Sequence, residues 1–327
     1  MTRFKIARKE LNGVLFFFCL CKALLLFFNL YLGKILSVIL TAVYGESAYD
    51  SYLKFASYGT LSGLLLEIAV FTICLFLPIC LYFFFSGKKY TEIIPARKPE
   101  ILQICFGVGT SFVIGNISSN IGHALLSVLF SIFGMKHKYD AMLQSTVDYP
   151  ENIWLVPLLC IMLAVLPGLW EEIAMRGIGQ NATKKFGFTF SLLFSGFFFA
   201  LLHSSWTQIP QAFVFGIVLA YFTIRFKTVW IAVISHFAFN FNSVIQCLIM
   251  QNAGRFGDFW LLLWSVLFSL TMIGFMVAGL IVYGIKFPVE RSEFKAGQKI
   301  KALISSPFLY IFLALESIQL IFLLTIY

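Results

Sequence analysis

The stretch IWLVPLLCIMLAVLPGLWEEIAMRG occupies residues 153–177 and joins an apolar run to two adjacent carboxylates. Its first part, 153–168, has no charged residue and is typical of a membrane-spanning helix. Glu171 and Glu172 follow in a segment, 169–185, that we expect to continue past Pro167 and Gly168 as a kinked or broken helix. Charge within a bilayer costs at least ~2.5–3.5 kcal/mol per group. The stretch therefore predicts a membrane helix whose polar residues serve a function.

The composition extends this prediction to the whole chain. Hydrophobic residues make up 60% of the 327 positions and charged residues 12%, whereas soluble domains carry about 25% charged residues. A water-soluble globule is excluded. We predict an all-α, polytopic membrane helical bundle with about eight or nine transmembrane helices. The candidate spans are 12–32, 59–86, 101–134 (with a break between Gly115 and Gly122), 153–168, 187–203, 210–224, 229–248, 259–284 and 303–326.

The net charge of +9 fits a membrane protein better than a nucleic-acid-binding one, because the basic residues lie in short clusters between apolar runs. Seventeen of the 24 Lys and Arg residues fall in alternate connecting segments, and the other connecting segments carry five. We predict a multi-pass protein of the cell membrane with a cytoplasmic N-terminus, in contact with membrane lipid and not with nucleic acid. The predicted cytoplasmic segments are 1–11, 87–100, 184–186, 225–228 and 285–302.

The chain is predicted to have three parts. Residues 1–150 form N-terminal membrane helices, three spans and an external loop. Residues 151–250 form the core that carries the polar motifs. Residues 251–327 form C-terminal membrane helices with a basic cytoplasmic connector. The seven cysteines include no CxxC pair, so no disulfide framework or zinc knuckle is indicated.

Polar residues in the apolar spans concentrate between residues 168 and 242. Glu172 and Arg176 are i,i+4 neighbours and can form an ion pair, which leaves Glu171 to face another direction. His203 closes an apolar helix, and His236 and Asn240 share a helix face by i,i+4 spacing.

The depths of these residues agree. Counted from the basic turns, Glu171 and Asn240 lie ~20 Å into their helices, His236 ~14 Å and His203 ~27 Å. All four fall within a hydrocarbon slab of ~30 Å. We therefore interpret them as one site.

These residue types suit hydrolysis of a carbonyl compound. A carboxylate and an imidazole that share a water molecule can deprotonate it. A second imidazole and a carboxamide can donate hydrogen bonds to the oxyanion that forms. A divalent metal such as zinc, held by Glu171, His203 and His236, is equally compatible with the residue types.

Three motifs carry a resemblance to a known family: EExxxR at 171–176, FxxxH at 199–203 and HxxxN at 236–240. In order and spacing they resemble the CPBP family, which comprises the CAAX prenyl endopeptidases and the bacteriocin-processing and self-immunity proteins. The resemblance covers about residues 165–245. It implies that Glu171 activates water with His203, supported by Glu172 and Arg176, and that His236 and Asn240 form the oxyanion site.

The sequence thus predicts an intramembrane endopeptidase that acts on membrane-associated peptides or on protein or lipoprotein tails. The alternative is a non-catalytic scaffold or regulator with a membrane-protein partner, or a bacteriocin self-immunity protein. A transporter that uses Glu67, His123 and Glu316 as relay groups is a third hypothesis, which the lack of an internal repeat disfavours. Asn116, Asn120 and His123 are interpreted as helix-packing residues, with a role in lining a cavity as the alternative.

Overall fold

The computed structural model describes residues 2–57, 59–144, 150, 152–203, 205–252, 254–287 and 292–326. Across these ranges the chain is helical without β-strands, apart from an isolated antiparallel bridge between Ala96 and Thr228. The helices are α1 (Arg3–Tyr44), α2 (Glu46–Phe55), α3 (Leu61–Ser86), α4 (Tyr90–Ile93), α5 (Ile101–Ile132), α6 (Lys136–Gln144), α7 (Ile153–Phe186), α8 (Phe188–Leu202), α9 (Ile209–Phe226), α10 (Trp230–Asn252), α11 (Gly257–Tyr283), α12 (Ala296–Ile304) and α13 (Pro307–Ile326).

Among the described residues, eight helices are long and apolar enough to cross a membrane: α1, α3, α5, α7, α9, α10, α11 and α13. The predicted all-α polytopic bundle is confirmed. Helix α8 is the predicted span that falls short. Its 15 residues rise only ~22 Å, less than the ~30 Å of the hydrocarbon slab. The chain therefore turns back inside the bilayer depth after α8, immediately at His203.

Helix α7 is helical from Ile153 to Phe186, so of the two alternatives predicted past Pro167 and Gly168, a kinked or a broken helix, the break is absent. Around Pro167 and Gly168, helix α7 contains π-helical turns in place of regular α-helical ones. Proline has no N–H to donate to an α-helical ladder, and a wider turn accommodates it without ending the helix. The π-helical turns are Ile161–Val165, Pro167–Glu171 and Ile173–Gly179.

Helix α5 also runs without interruption, so the predicted break between Gly115 and Gly122 is wrong. Both glycines lie where another helix approaches. A Cβ on Gly115 would stand 2.9 Å from the ring of Phe239, and one on Gly122 would stand 2.7 Å from Pro210. Small residues at such crossings let membrane helices approach closely. Helix α5 accordingly packs against α9, α10 and α11.

Helices α1 and α13, the first and last membrane helices described, pack together. Lys22 of α1 is fully buried, donates a hydrogen bond of 2.9 Å to Gln319 and forms an ion pair with Glu316. A charge at this depth needs such a partner, because lipid offers none. The pair therefore joins the first membrane helix to the last.

The five basic segments predicted to be cytoplasmic meet on one face, which we call the basic face. Glu10 binds Lys185 at 2.9 Å and Lys88 at 3.3 Å. Arg225 donates to the Gly284 carbonyl at 2.7 Å. Two backbone hydrogen bonds, Val229 N to Pro95 O and Glu293 N to Lys185 O, join the remaining segments. That this face is cytoplasmic stays a prediction.

Candidate active site

The two adjacent carboxylates of α7 occupy different environments. The Glu172 side chain is completely buried and pairs with Arg176, with distances of 3.1 Å from Nη1 to Oε1 and 3.1 Å from Nε to Oε2. The i,i+4 ion pair expected from the sequence is therefore present. The Glu171 side chain keeps 17% of its surface exposed and faces a cavity.

Arg176 ties α7 to the two helices that follow it. Its Nη2 donates a 2.9 Å hydrogen bond to the Gly216 carbonyl of α9, and its guanidinium lies 4.5 Å from the ring centre of Phe199 in α8. Gly216 is required here for space, because a Cβ on it would stand 3.0 Å from the Gly196 Cα. The guanidinium thus fixes the position of the Glu172 carboxylate relative to three helices.

Glu172 also holds His236, whose Nδ1 lies 2.9 Å from Oε1. In its ion pair with Arg176 the Glu172 carboxylate can only accept a hydrogen bond, so His236 Nδ1 is the donor. The ring is 3% exposed and lies edge-on to Phe199 and Phe215, with ring centres 5.6 Å away in each case. Nε2 is the ring nitrogen left to face the cavity.

His203 is oriented by its own helix. Its Nδ1 lies 2.8 Å from the Phe199 carbonyl oxygen, which can only accept, so Nδ1 carries a proton. The other ring nitrogen, Nε2, lies 3.9 Å from Glu171 Oε2 and carries a lone pair in the neutral ring. This distance is too long for a direct hydrogen bond. A water molecule can be shared by the two groups at this separation.

A cavity of about 490 Å³ unites the motif residues of three helices. Glu171, His203, His236 and Asn240 all line it, and Phe199 and Phe215 form its apolar floor. Glu172 and Arg176 lie behind the floor and do not line it. The structure therefore separates the six predicted site residues into four at the cavity and two that support them.

Further polar side chains line the cavity, and sequence reasoning missed most of them. Asn116 was interpreted as a packing residue, and its role as a cavity residue was the alternative. Ser243 continues the face of His236 and Asn240 at i+7, a spacing that could have revealed it. The other members come from helix ends and from α5, where no motif marks them. The set is Asn116, Ser119, Gln208, Gln211 and Ser243.

The residues of the transporter hypothesis lie elsewhere. His123 Nδ1 contacts the Tyr139 hydroxyl at 2.7 Å, and Glu316 pairs with Lys22. Neither these two residues nor Glu67 is among the described residues that line the cavity at Glu171.

A metal ion in a protein site needs several ligand side chains directed at one point. Over the described ranges, no group of three or more His, Cys, Asp or Glu side chains is arranged to hold one. Glu171 and His203 face each other, and His236 contacts Glu172 through Nδ1 while its Nε2 is left to face the same cavity. The metal suggested at Glu171, His203 and His236 stays a prediction, and the proposed mechanism includes no step at a metal.

Comparison with known proteins agrees with the motifs. Residues 153–242 match a family model described as type II CAAX prenyl endopeptidase Rce1-like. The matched segment runs from the start of α7 into α10 and contains all six predicted site residues. The comparison with curated proteins and the comparison with solved structures gave no match. The resemblance to the CPBP family is confirmed for this segment, which points to a protease of the CAAX type.

Proposed function

We propose that this Rce1-like membrane protein is an intramembrane endopeptidase that hydrolyses peptides or protein tails associated with the bilayer. The observation that carries the proposal is the pair formed by Glu171 and His203. A carboxylate oxygen and an imidazole lone pair face each other at 3.9 Å at the edge of a cavity. Two acceptors at this separation can orient one water molecule and remove its proton.

The first chemical step is attack by that water. Its oxygen bonds to the carbonyl carbon of the scissile peptide, while one of its protons passes to the Glu171 carboxylate or to His203 Nε2. The carbonyl oxygen becomes an oxyanion. When the tetrahedral intermediate collapses, the C–N bond breaks and the stored proton moves to the leaving amine. The products are a carboxylate and an amine, and no covalent enzyme intermediate forms.

The oxyanion needs hydrogen-bond donors within the cavity. Asn240 can donate from its carboxamide. His236 can donate from Nε2 when the ring is an imidazolium, because Nδ1 already donates to Glu172. His236 and Asn240 are one helical turn apart, so both donors can reach the same oxygen.

Glu172 and Arg176 are positioning residues in this mechanism. Their ion pair is buried, and it touches the site through His236 and Phe199. Their contribution is to hold the donor ring and the cavity floor in a fixed geometry. Such preorganisation removes the cost of reorienting dipoles during the reaction.

The test is a comparison of peptides in membranes from cells that produce wild type, Glu171→Gln or Glu92→Gln at matched levels. Glu92 is exposed in a connecting segment, so its substitution controls for the carboxylate-to-amide change itself. We expect a precursor to accumulate only with Glu171→Gln, which would also identify the substrate. Identical peptide profiles in all three strains, with the cellular phenotype retained, would contradict the proposal and favour the scaffold alternative.

A further inference from the structure

We propose that the substrate reaches the site from the membrane surface opposite the basic face, outside the cell. The inference rests on the proposed function, because it concerns access to the same cavity. The substrate class would be a peptide segment exposed at the outer surface of the membrane, and not a tail presented from the cytoplasm.

The buried end of the cavity points towards the basic face. Phe199, Phe215 and His236 form its inner wall and are 1%, 4% and 3% exposed. Below this wall, further buried groups fill the space between helices. Gln180 donates to the Ala220 carbonyl at 2.9 Å, and this layer separates the cavity from the basic connectors.

The open end lies far from the basic face on every helix that lines it. Asn116 stands 15 residues beyond the start of α5, or ~23 Å along that helix. Gln211 stands 15 residues before the end of α9, also ~23 Å away. Ser243 lies 13 residues into α10, or ~20 Å. Since α5, α9 and α10 each have one end at the basic face, these residues lie farther from that face than His236 of the buried wall, which is 6 residues, or ~9 Å, into α10.

The rim of the cavity is polar and accessible. Asn116, Gln208 and Ser243 are exposed, and Gln208 lies in the turn between α8 and α9. Because α8 rises only ~22 Å, this turn lies within a hydrocarbon slab of ~30 Å, on the side away from the basic face, and its polar side chains mark the mouth of the cavity. Amide and hydroxyl side chains at the mouth suit hydrogen bonding to a peptide backbone.

The charge distribution assigns a compartment to each face. The segments of the basic face hold seventeen of the 24 Lys and Arg residues. Connecting segments rich in Lys and Arg remain in the cytoplasm. The far side carries few cations, among them Lys34 against Phe322 and Lys138 against the Leu324 carbonyl, near the end of α13. The mouth of the cavity therefore opens towards the outer side of the membrane.

The test uses single cysteines and a maleimide that does not cross membranes. Gln208→Cys marks the rim and Lys89→Cys marks the basic face, each in a chain whose seven native cysteines are replaced by alanine. Intact cells and inverted membrane vesicles are labelled in parallel. If the cysteine-free chain is unstable, labelling is measured as the increase over the native-cysteine parent, and Ser243→Cys replaces Gln208→Cys if that variant does not insert.

We expect the rim cysteine to be labelled in intact cells and the Lys89→Cys protein to be labelled only in inverted vesicles. A rim cysteine that reacts only in inverted vesicles would overturn the inference. Labelling does not depend on catalysis, so the two proposals can fail separately. Labelling from outside of a protein without peptidase activity would contradict the endopeptidase proposal alone. Labelling of an active protein only from the cytoplasmic side would contradict the proposal of outer access alone.

Discussion

Glu171 and Glu172 are neighbours in the sequence, yet the structure gives them opposite surroundings. Glu172 lies in a dry layer, where Arg176 and His236 bind both of its oxygens. Glu171 lies at a cavity, where His203 Nε2 is 3.9 Å from its Oε2. A buried carboxylate with fixed partners stabilises geometry, whereas one that faces a cavity can exchange a proton. The difference indicates which carboxylate reacts and which one supports it.

The largest expected effect is on the rate of cleavage when Glu171, the carboxylate at the cavity, is changed. Glu171→Gln removes the proton acceptor and keeps the shape of the side chain, so cleavage should slow by about 10²–10⁴-fold. Thermal stability should stay close to that of wild type, because Glu171 forms no buried ion pair of the kind made by Glu172. Cleavage of the accumulated precursor by purified protein in lipid vesicles, with the unfolding midpoint, checks both parts. Unchanged cleavage would show that the two carboxylates have been assigned the wrong roles.

The next largest effect is expected on stability when Glu172, the buried carboxylate, is changed. Glu172→Gln leaves Arg176 as a buried charge without its counter-ion, which should lower the free energy of unfolding by about 3–5 kcal/mol. The matched control is Glu316→Gln, which breaks the buried pair with Lys22 outside the site. Both variants should lose stability, but only Glu172→Gln should reduce the rate per folded molecule, because it also releases His236. Equal rates for the two folded variants would contradict the positioning role.

A somewhat smaller effect is expected at the oxyanion position. Asn240→Ala should lower kcat by about 10²–10³-fold and leave KM nearly unchanged, because the lost hydrogen bond forms in the transition state. Steady-state kinetics with the same precursor measure the two constants. A rise in KM at constant kcat would instead make Asn240 a ground-state binding residue.

The smallest effect is expected from metal removal. Treatment of the purified protein with a strong chelator should leave the rate unchanged, since Glu171 and His203 activate water directly in this mechanism. Loss of activity that zinc restores would favour the alternative in which these two residues hold a metal. The Glu171→Gln protein serves as the blank for residual activity.

Much of the fold follows from local properties of the sequence. Apolar runs predict spans because every backbone polar group in lipid must be satisfied within a helix. The pairs at i,i+4, Glu172 with Arg176 and His236 with Asn240, are local as well. What could not be predicted is the rotation of each helix about its axis, since lipid-facing and buried faces are both apolar here.

That missing rotation explains the particular errors. Gly115 and Gly122 resemble a helix break until Phe239 and Pro210 are seen to pack against them. Asn116 resembles a packing residue until α5 is seen to turn it towards the cavity. The bond between Glu172 and His236 joins residues 64 positions apart, and no periodicity encodes it. Local spacing therefore identified the reactive groups, and tertiary contacts decided which of them meet.

The most direct test of the central claim is a single-turnover cleavage in water enriched in ¹⁸O. Purified wild type and Glu171→Gln are each mixed in excess with the precursor, and the new carboxyl terminus is analysed by mass spectrometry. If Glu171 activates water, wild type should yield a carboxyl terminus that carries one ¹⁸O, and Glu171→Gln should yield almost no product in the same time. Labelled product from both proteins at the same rate would contradict the claim that this carboxylate carries the chemistry.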